Sequence, residues 1–369
     1  MKVAIIHDYL DAYGGAEVLA NAIFEIFPKA DLYTATYDEK LINSTKIFKD
    51  AKVFCPKWLK YFPKKLLILF LPFYFENLDL SKYDLVISST AHFAKGVKTN
   101  KNQVHISYIH TPPRFLYGYD SSIKNRNSWF LKIFLWPIDF YLKYKDQQFA
   151  KRPDYLLCNS NEVKKRIKKF YQRDAKVIYP FPQVKVDQNF FEYVKKEGKS
   201  DYFLIISRLT AYKNIDLVIN ALGKKGLPLQ IGGTGPQKKY LEELSKNYKT
   251  VNLYGFVNDD EKELLYQNCK AFLATVQNED FGMSVLEPMM YGKPVIALRS
   301  GGYLETIVEN KTGIFFDFLN EESLLEAIKK IDTIKWNPDE IRKHALTFSK
   351  EKFQKEIKEF VKEKVKFFS

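Results

Sequence analysis

Glu279 and Glu287 stand eight residues apart in the run Asn278-Glu279-Asp280-Phe281-Gly282-Met283-Ser284-Val285-Leu286-Glu287-Pro288. A Phe-Gly turn lies between them, where a loop gives way to a helix. The first N–H groups of a helix have no intrahelical partner and carry partial positive charge, so they suit phosphates and sugar hydroxyls. Glu279 falls in the loop and Glu287 about one turn into the helix. Two carboxylates that only accept hydrogen bonds can hold two separate hydroxyl-bearing parts of one ligand. The chemistry that fits is recognition of a nucleotide sugar.

Arg208 and Lys213 lie five apart in Ser207-Arg208-Leu209-Thr210-Ala211-Tyr212-Lys213-Asn214, between an apolar run and a helical stretch from Ile215 to Leu222. Both cations can turn toward one crevice. A departing diphosphate needs such a pair, with Arg as a fork and Lys as a point charge. Gly14-Gly15 follows the first apolar run and precedes the helical stretch Ala16–Phe27. Paired glycines there let the backbone approach a ligand and aim N–H groups at it. A second glycine turn, Ile231-Gly232-Gly233-Thr234-Gly235-Pro236, lacks the third glycine and the later acidic residue of the dinucleotide fingerprint.

Short apolar runs alternate with amphipathic helical stretches, the pattern of α/β units with parallel strands. Strands are expected at Val3–His7, Asp31–Thr34, Leu85–Ser88, Gln103–Tyr108 and Tyr155–Asn159. A second series is expected at Tyr202–Ser207, Leu229–Gly232, Val251–Leu253, Ala271–Ala274 and Pro294–Ala297. The two series resemble two doubly wound sheets in tandem. Two prolines in Tyr179-Pro180-Phe181-Pro182-Gln183 mark the boundary, and a polar stretch from Asp187 to Ser200 follows. The expected domains are 1–183 and 184–349. Phe353, Ile357, Phe360, Val361, Val365 and Phe368 fall on one helical face, so residues 350–369 read as a capping helix.

The ordered set of Gly-Gly, Arg-x4-Lys, Gly-x-Gly-Pro and Glu-x7-Glu resembles the retaining glycosyltransferases of family 4 over nearly all of the chain, most securely from Tyr202 to Gly313. The resemblance implies the GT-B fold, two Rossmann-like domains facing each other across a cleft. It makes 1–183 the acceptor domain and 184–349 the nucleotide-sugar donor domain, with the last helix crossing back onto the first. It implies that the Gly14-Gly15 loop faces the transferred sugar and the acceptor. The Gly233–Gly235 turn would lie by the diphosphate and ribose, and the backbone around Phe256 and Val257 by the nucleobase. Glu279 and the N–H groups of Phe281, Gly282 and Met283 would hold sugar hydroxyls, and Glu287 the ribose. Ser300-Gly301-Gly302, Glu305 and Asn310-Lys311-Thr312-Gly313 complete the family pattern as loop geometry. The family uses no metal, and the chain contains no Asp-x-Asp.

Tyr108-Ile109-His110-Thr111-Pro112-Pro113-Arg114-Phe115 follows an expected strand. The family places a His lining the sugar site there, so His110 is a candidate catalytic residue and Arg114 an acceptor contact. The longer phrase is similar to bacterial mannosyltransferases of O-antigen and exopolysaccharide synthesis, which implies GDP-mannose as donor. It departs from them at Phe115 and Tyr117, where Tyr and Trp are usual. A UDP-linked glucose, galactose or N-acetylhexosamine stays open as the donor, as does a non-catalytic sugar-nucleotide-binding scaffold.

With 369 residues and 46% apolar content, the chain suits two ordinary globular domains. No stretch reaches the roughly 18 apolar residues of a membrane span, and the opening Met1–Asp8 turns polar too soon for a signal peptide. Three scattered cysteines, Cys55, Cys158 and Cys269, match no metal spacing and suit packing in a reducing cytosol. Lys and Arg outnumber Asp and Glu by 58 to 44, a net charge of +14 that attracts anionic partners. The excess is mostly Lys and widely spread, which argues against nucleic acid as the partner. Residues 51–75 hold five lysines, eight aromatics and no acidic residue, and residues 123–152 add Trp129–Trp136 among more lysines. Such surfaces sit in anionic lipid interfaces. The expected site of action is the inner face of the cytoplasmic membrane, with a glycan or polyprenyl-linked glycan as acceptor.

Overall fold

The computed structural model describes residues 1–45, 47–61, 64–119, 129–184 and 201–365, with side chains at 60, 61, 64, 65 and 129–134 excepted. The polar stretch Asp187–Ser200, Phe368 and the side chains of Trp129–Phe134 therefore lie outside the described residues. The chain forms two compact units. One comprises Met1–Tyr119, Asn125–Pro180 and Lys350–Ser369, and the bulk of the other is Phe181–Ser349.

The first unit is a seven-stranded parallel sheet in the order β3-β2-β1-β4-β5-β6-β7. Its strands are β1 (Val3–His7), β2 (Asp31–Thr34), β3 (Lys52–Phe54), β4 (Leu85–Thr90), β5 (Val104–Ile109), β6 (Tyr155–Cys158) and β7 (Lys176–Val177). Every residue of β1 and β4 is buried. Helices cover both faces of such a sheet, so its inner strands read as continuous apolar runs rather than alternating ones. The helix Gly15–Ile26 follows β1, and the helix Lys350–Lys364 belongs to this same unit. Gln354 donates to the carbonyl of Ala22 at 3.1 Å and Lys350 pairs with Glu25 at 2.6 Å. Phe353, Ile357, Phe360, Val361 and Val365 are buried, and the Phe353 and Phe360 rings meet Tyr108 and Tyr155 edge-on.

The second unit is a six-stranded parallel sheet in the order β10-β9-β8-β11-β12-β13. Its strands are β8 (Phe203–Ile206), β9 (Leu229–Gly232), β10 (Val251–Gly255), β11 (Ala271–Ala274), β12 (Val295–Leu298) and β13 (Gly313–Phe316). Side-chain caps fix several helix starts. Asn258 and Glu261 form a reciprocal capping box at Asp259–Asn268, and Asn320 caps Glu321–Ile331.

The expected strands are all present, with ends shifted by at most two residues. Three edge strands, β3, β7 and β13, were not anticipated. Runs of two to four residues are too short to show a period. The change of unit falls between Pro180 and Phe181.

In each sheet the strand order reverses once, between β1 and β4 and between β8 and β11. Loops leaving adjacent strands there diverge to opposite faces and open a crevice at the carboxyl ends, where ligands of doubly wound sheets bind. Both groups of candidate residues lie at such points.

Candidate active site

In the second unit, β8 ends at Ile206 and the chain runs through Ser207 and Arg208 to a short turn at Ala211–Lys213. Asn214 adopts a left-handed conformation (φ 51°) and starts the helix Ile215–Lys224. The end of β11 holds this turn. Thr275 Oγ1 donates to the Lys213 carbonyl at 2.6 Å, and Asn214 Nδ2 donates to the Thr275 carbonyl at 2.9 Å. A crevice opens between the two strand ends, lined by Ser207, Lys213, Thr275, Ser284 and Tyr303 among others.

Lys213 Nζ lies 3.3 Å from Glu279 Oε2, and Tyr303 Oη donates to the same oxygen at 3.4 Å. Both charged side chains are largely shielded, at 17% and 16% exposure. Glu279 sits in the loop before the helix Met283–Met290, whose first cap is Gly282 in the left-handed region (φ 88°). The sequence reading expected Arg208 and Lys213 to turn toward one crevice. Lys213 lines it, whereas Arg208 is exposed and does not.

The glycines of the neighbouring loops have packing reasons. A Cβ on Gly233 (φ 139°) would overlap the Ser207 carbonyl, and one on Gly235 the Leu209 carbonyl. Leu209 N–H donates to the Thr234 carbonyl at 2.8 Å, so this turn braces the segment carrying Arg208. Gly301 (φ 58°) lies against the backbone of Glu279, and Gly302 donates to the Glu279 carbonyl at 2.8 Å. Ser300 Oγ accepts from the Asn278 N–H at 2.9 Å. The Ser300–Gly302 loop, given little weight in the sequence, is thus the floor under Glu279.

Glu287 is held on its own helix face. Tyr266 Oη donates to Glu287 Oε2 at 2.6 Å, and Lys262 Nζ lies 3.6 Å away. Burial raises its carboxyl above the ordinary value, with Lys262 and Tyr266 opposing. Phe281 is buried against Phe348, so it can offer a ligand only its backbone. Phe256 is 76% exposed after β10, and Val257 packs over Gly232.

In the first unit, buried polar groups gather at the carboxyl ends of the strands: His7, Asp8, Ser88, Ser89, Thr90, His110, Thr111, Asn159 and Ser160. Most of an interior is apolar, and burying a polar group costs free energy unless it is bonded. Here the bonds are made. Asp8 accepts from the N–H groups of Ala91, His92, Phe93 and Ala94 and from Thr90 Oγ1, all between 2.7 and 3.0 Å. Burial alone would raise the Asp8 carboxyl. His92, His7 and the Ala94 N–H outweigh it and hold the group below its ordinary value.

His110 is 7% exposed, one residue beyond β5. Its Nε2 lies 2.8 Å from Ser89 Oγ, and its carbonyl accepts from Asn159 Nδ2 at 2.9 Å. Burial, then the charge of His7, brings its pKa down to about 3, so the ring stays neutral. Gly14 is extended at the cap of the first helix, Gly15 is that helix's first residue, and neither needs a left-handed backbone. Arg114 opens a single turn, Arg114–Tyr117, with its guanidinium 5.8 Å from the Tyr119 ring centre.

Asp8, Ser89, Asn159, Tyr266 and Tyr303 were not singled out in the sequence. Polar residues placed immediately after apolar runs, as in Ile87-Ser88-Ser89-Thr90 and Leu157-Cys158-Asn159-Ser160, are the signal that marks some of them.

Both units of the chain are similar to known proteins. Residues 14–182 match the family model Glycosyltransferase Family 4, and residues 186–346 match Glycosyl transferases group 1. The chain is 24% identical over 372 residues to the alpha-1,3/1,6-mannosyltransferase ALG2 of Dictyostelium discoideum, covering 85% of each chain. It is 24% identical over 356 residues to the O-antigen chain mannosyltransferase C of Escherichia coli, covering 90% of this chain and 87% of that one. The crystal structure of Anabaena HepE in complex with UDP superposes with a TM-score of 0.71 at 18% identity, covering 98% of this chain and all of the other. Two Rossmann-like units of this kind constitute the GT-B fold. The chain belongs to the family 4 glycosyltransferases and is a hexosyltransferase.

Proposed function

We propose that the protein transfers mannose from GDP-mannose, with retention of anomeric configuration and without a metal, onto a polyprenyl-linked or polysaccharide glycan in cell-envelope synthesis. The observation that carries this reading is the Lys213–Glu279 pair at the β8/β11 reversal. It sets a cation for a departing diphosphate beside an acceptor for sugar hydroxyls. Mannose is supported by the mannosyltransferase names of the relatives and by the Tyr-x-His-Thr-Pro-x-Arg phrase at Tyr108–Arg114.

Lys213 neutralises the diphosphate, and Arg208, exposed on the loop leaving β8, supplies the second cation. Glu279 and the N–H groups of Phe281, Gly282 and Met283 hold the sugar. Glu287 takes the ribose, the turn at Gly233 and Gly235 lies by the phosphates, and Phe256 and Val257 lie by the base. His110 contacts the sugar near the reacting carbon. The Gly14-Gly15 loop and Arg114 serve the acceptor side. No side chain is assigned as a covalent nucleophile, so the leaving phosphate takes the acceptor proton in a same-face substitution.

The test is a binding and hydrolysis panel of GDP-mannose, UDP-glucose, UDP-galactose and UDP-N-acetylglucosamine, with a chelator present. GDP-mannose is expected to win, with activity unaffected by the chelator. A preference for a UDP-sugar overturns the mannose assignment, and loss of activity on chelation overturns metal independence. Binding of no donor would favour a scaffold. Lys213→Ala is expected to lower kcat/KM at least about 100-fold, as removing preorganised charge at a leaving group does.

A further inference from the structure

His110 does not stand alone. In the β1–β4 register His7 is the partner of Ser89, and in the β4–β5 register Ser89 is the partner of Tyr108, two residues before His110. Parallel strands in register point these side chains to one face. His7 Nδ1 lies 3.0 Å from the Ser89 carbonyl and 3.2 Å from Ser89 Oγ. Ser89 Oγ lies 2.8 Å from His110 Nε2. At the other end, His7 Nε2 lies 3.6 Å from Glu17 Oε1. The Glu17 carboxylate also closes on the glycine loop, since a Cβ on Gly14 would sit 3.2 Å from Glu17 Oε2.

The chemistry of each atom orders the protons along this chain. A carbonyl only accepts, so His7 Nδ1 carries a hydrogen. At 3.6 Å the Glu17 carboxylate lies beyond hydrogen-bond reach of His7 Nε2 and bears on that edge of the ring through its charge. His7 Nδ1–H reaches Ser89 Oγ as a second acceptor. That leaves the Ser89 hydroxyl hydrogen for His110 Nε2. A neutral imidazole whose Nε2 accepts carries its own hydrogen on Nδ1.

We propose that His7 and Ser89, with the charge of Glu17 behind them, form a proton-ordered chain that fixes His110 as the Nδ1–H imidazole, making it a hydrogen-bond donor to the ligand hydroxyl it meets. Nε2 is occupied by Ser89, so a polar contact from His110 to a ligand goes through Nδ1. The three are positioning residues, and His110 is the residue that touches substrate. That last role rests on the glycosyl-transfer reading above.

The experiment is a 15N spectrum of the ligand-free protein labelled only at histidine nitrogens. The chain has five histidines, and the His110 signals are the ones lost in His110→Gln. From about pH 6 to about pH 8, Nδ1 is expected in the N–H range and Nε2 in the unprotonated range. Ser89→Ala is expected to move both toward a mixture of tautomers. It should lower kcat/KM about five- to tenfold while leaving affinity for the nucleoside diphosphate unchanged. Glu17→Gln, which opens no cavity in the sheet, is expected to shift the spectrum in the same direction. A proton on Nε2 in the wild type, an imidazolium, or a spectrum indifferent to Ser89→Ala overturns the proposal. The spectrum needs no nucleotide sugar, so a wrong tautomer and a wrong reaction are told apart.

Discussion

At the scale of single residues, the two carboxylates Asp8 and Glu279 contrast. Glu279 was legible because its partner Glu287 recurs at a spacing with chemical meaning. Asp8 was not, because its partners are backbone N–H groups some eighty residues away. Yet Asp8 carries the greater structural burden. Asp8→Ala leaves four N–H groups and the Thr90 hydroxyl without their acceptor, and is expected to cost about 3–5 kcal/mol in denaturant unfolding. A loss under about 1 kcal/mol would mean that water refills the site. Glu279→Gln keeps the shape and removes the charge facing Lys213. It is expected to cut kcat/KM at least about 100-fold with little change in melting temperature. Titration adds a third expectation. Burial brings the pKa values of His105 and His110 down to about 3, against about 6.5 for an unfolded histidine. Below about pH 6.5 the unfolded chain binds protons that the folded one refuses, so stability falls as pH falls toward 3. Each residue contributes about 1.4 kcal/mol per pH unit at most. Melts at pH 7.5 and 5.5 should separate, and His110→Gln should narrow the gap.

At the scale of elements, the sequence announced the long buried strands and their order, and hid what supports the site. Val3–His7 and Leu85–Thr90 are apolar enough to read as inner strands, and their polar last residues belong to the buried polar cluster of the first unit. The Ser300–Gly302 loop looked like ordinary connection because its function is steric, and steric fit has no composition signature. Its test is Gly301→Ala. The left-handed backbone and the overlap with the Glu279 carbonyl together cost about 1–3 kcal/mol, and relief displaces Glu279. Activity should therefore drop at least about tenfold. Gly226 (φ 64°) has nothing within 4 Å of an added Cβ. Gly226→Ala shares the backbone strain without the overlap, and should lower stability while leaving activity intact. Equal activity losses in the two variants would remove the loop's supporting role.

At the scale of the whole molecule, the net charge of +14 favours anionic partners, and the first unit carries exposed aromatic residues. Leu67, Leu71 and Phe75 bury one face of the helix Lys64–Glu76, while Leu66 and Phe73 stay exposed. Within the same unit the helix Trp129–Phe149 exposes Trp136, Phe140, Tyr141 and Tyr144. The aromatic segments are thus part core and part surface, which their composition could not apportion. No helix among the described residues is long and apolar enough to cross a membrane. We propose that these exposed aromatics and the surrounding lysines dock the protein on an anionic leaflet. Flotation with vesicles rich in anionic lipid is expected at low salt and should weaken as salt screens the lysines. Phe73→Ser with Trp136→Ser should abolish it. Equal flotation with neutral vesicles would contradict the electrostatic part.

The helix Lys350–Lys364 seals Tyr108 and Tyr155 and lies on the helix Gly15–Ile26. During synthesis these partners emerge far apart in time. The first unit must wait, its sheet uncovered, while the whole of the second is made and is free to fold. A nascent chain thus passes through a stage in which its later half is finished and its earlier half is not. A premature stop between Glu287 and Lys350 would leave every motif from Gly14 to Glu287 intact in the polypeptide. It would still yield a product for chaperones and proteases rather than an enzyme.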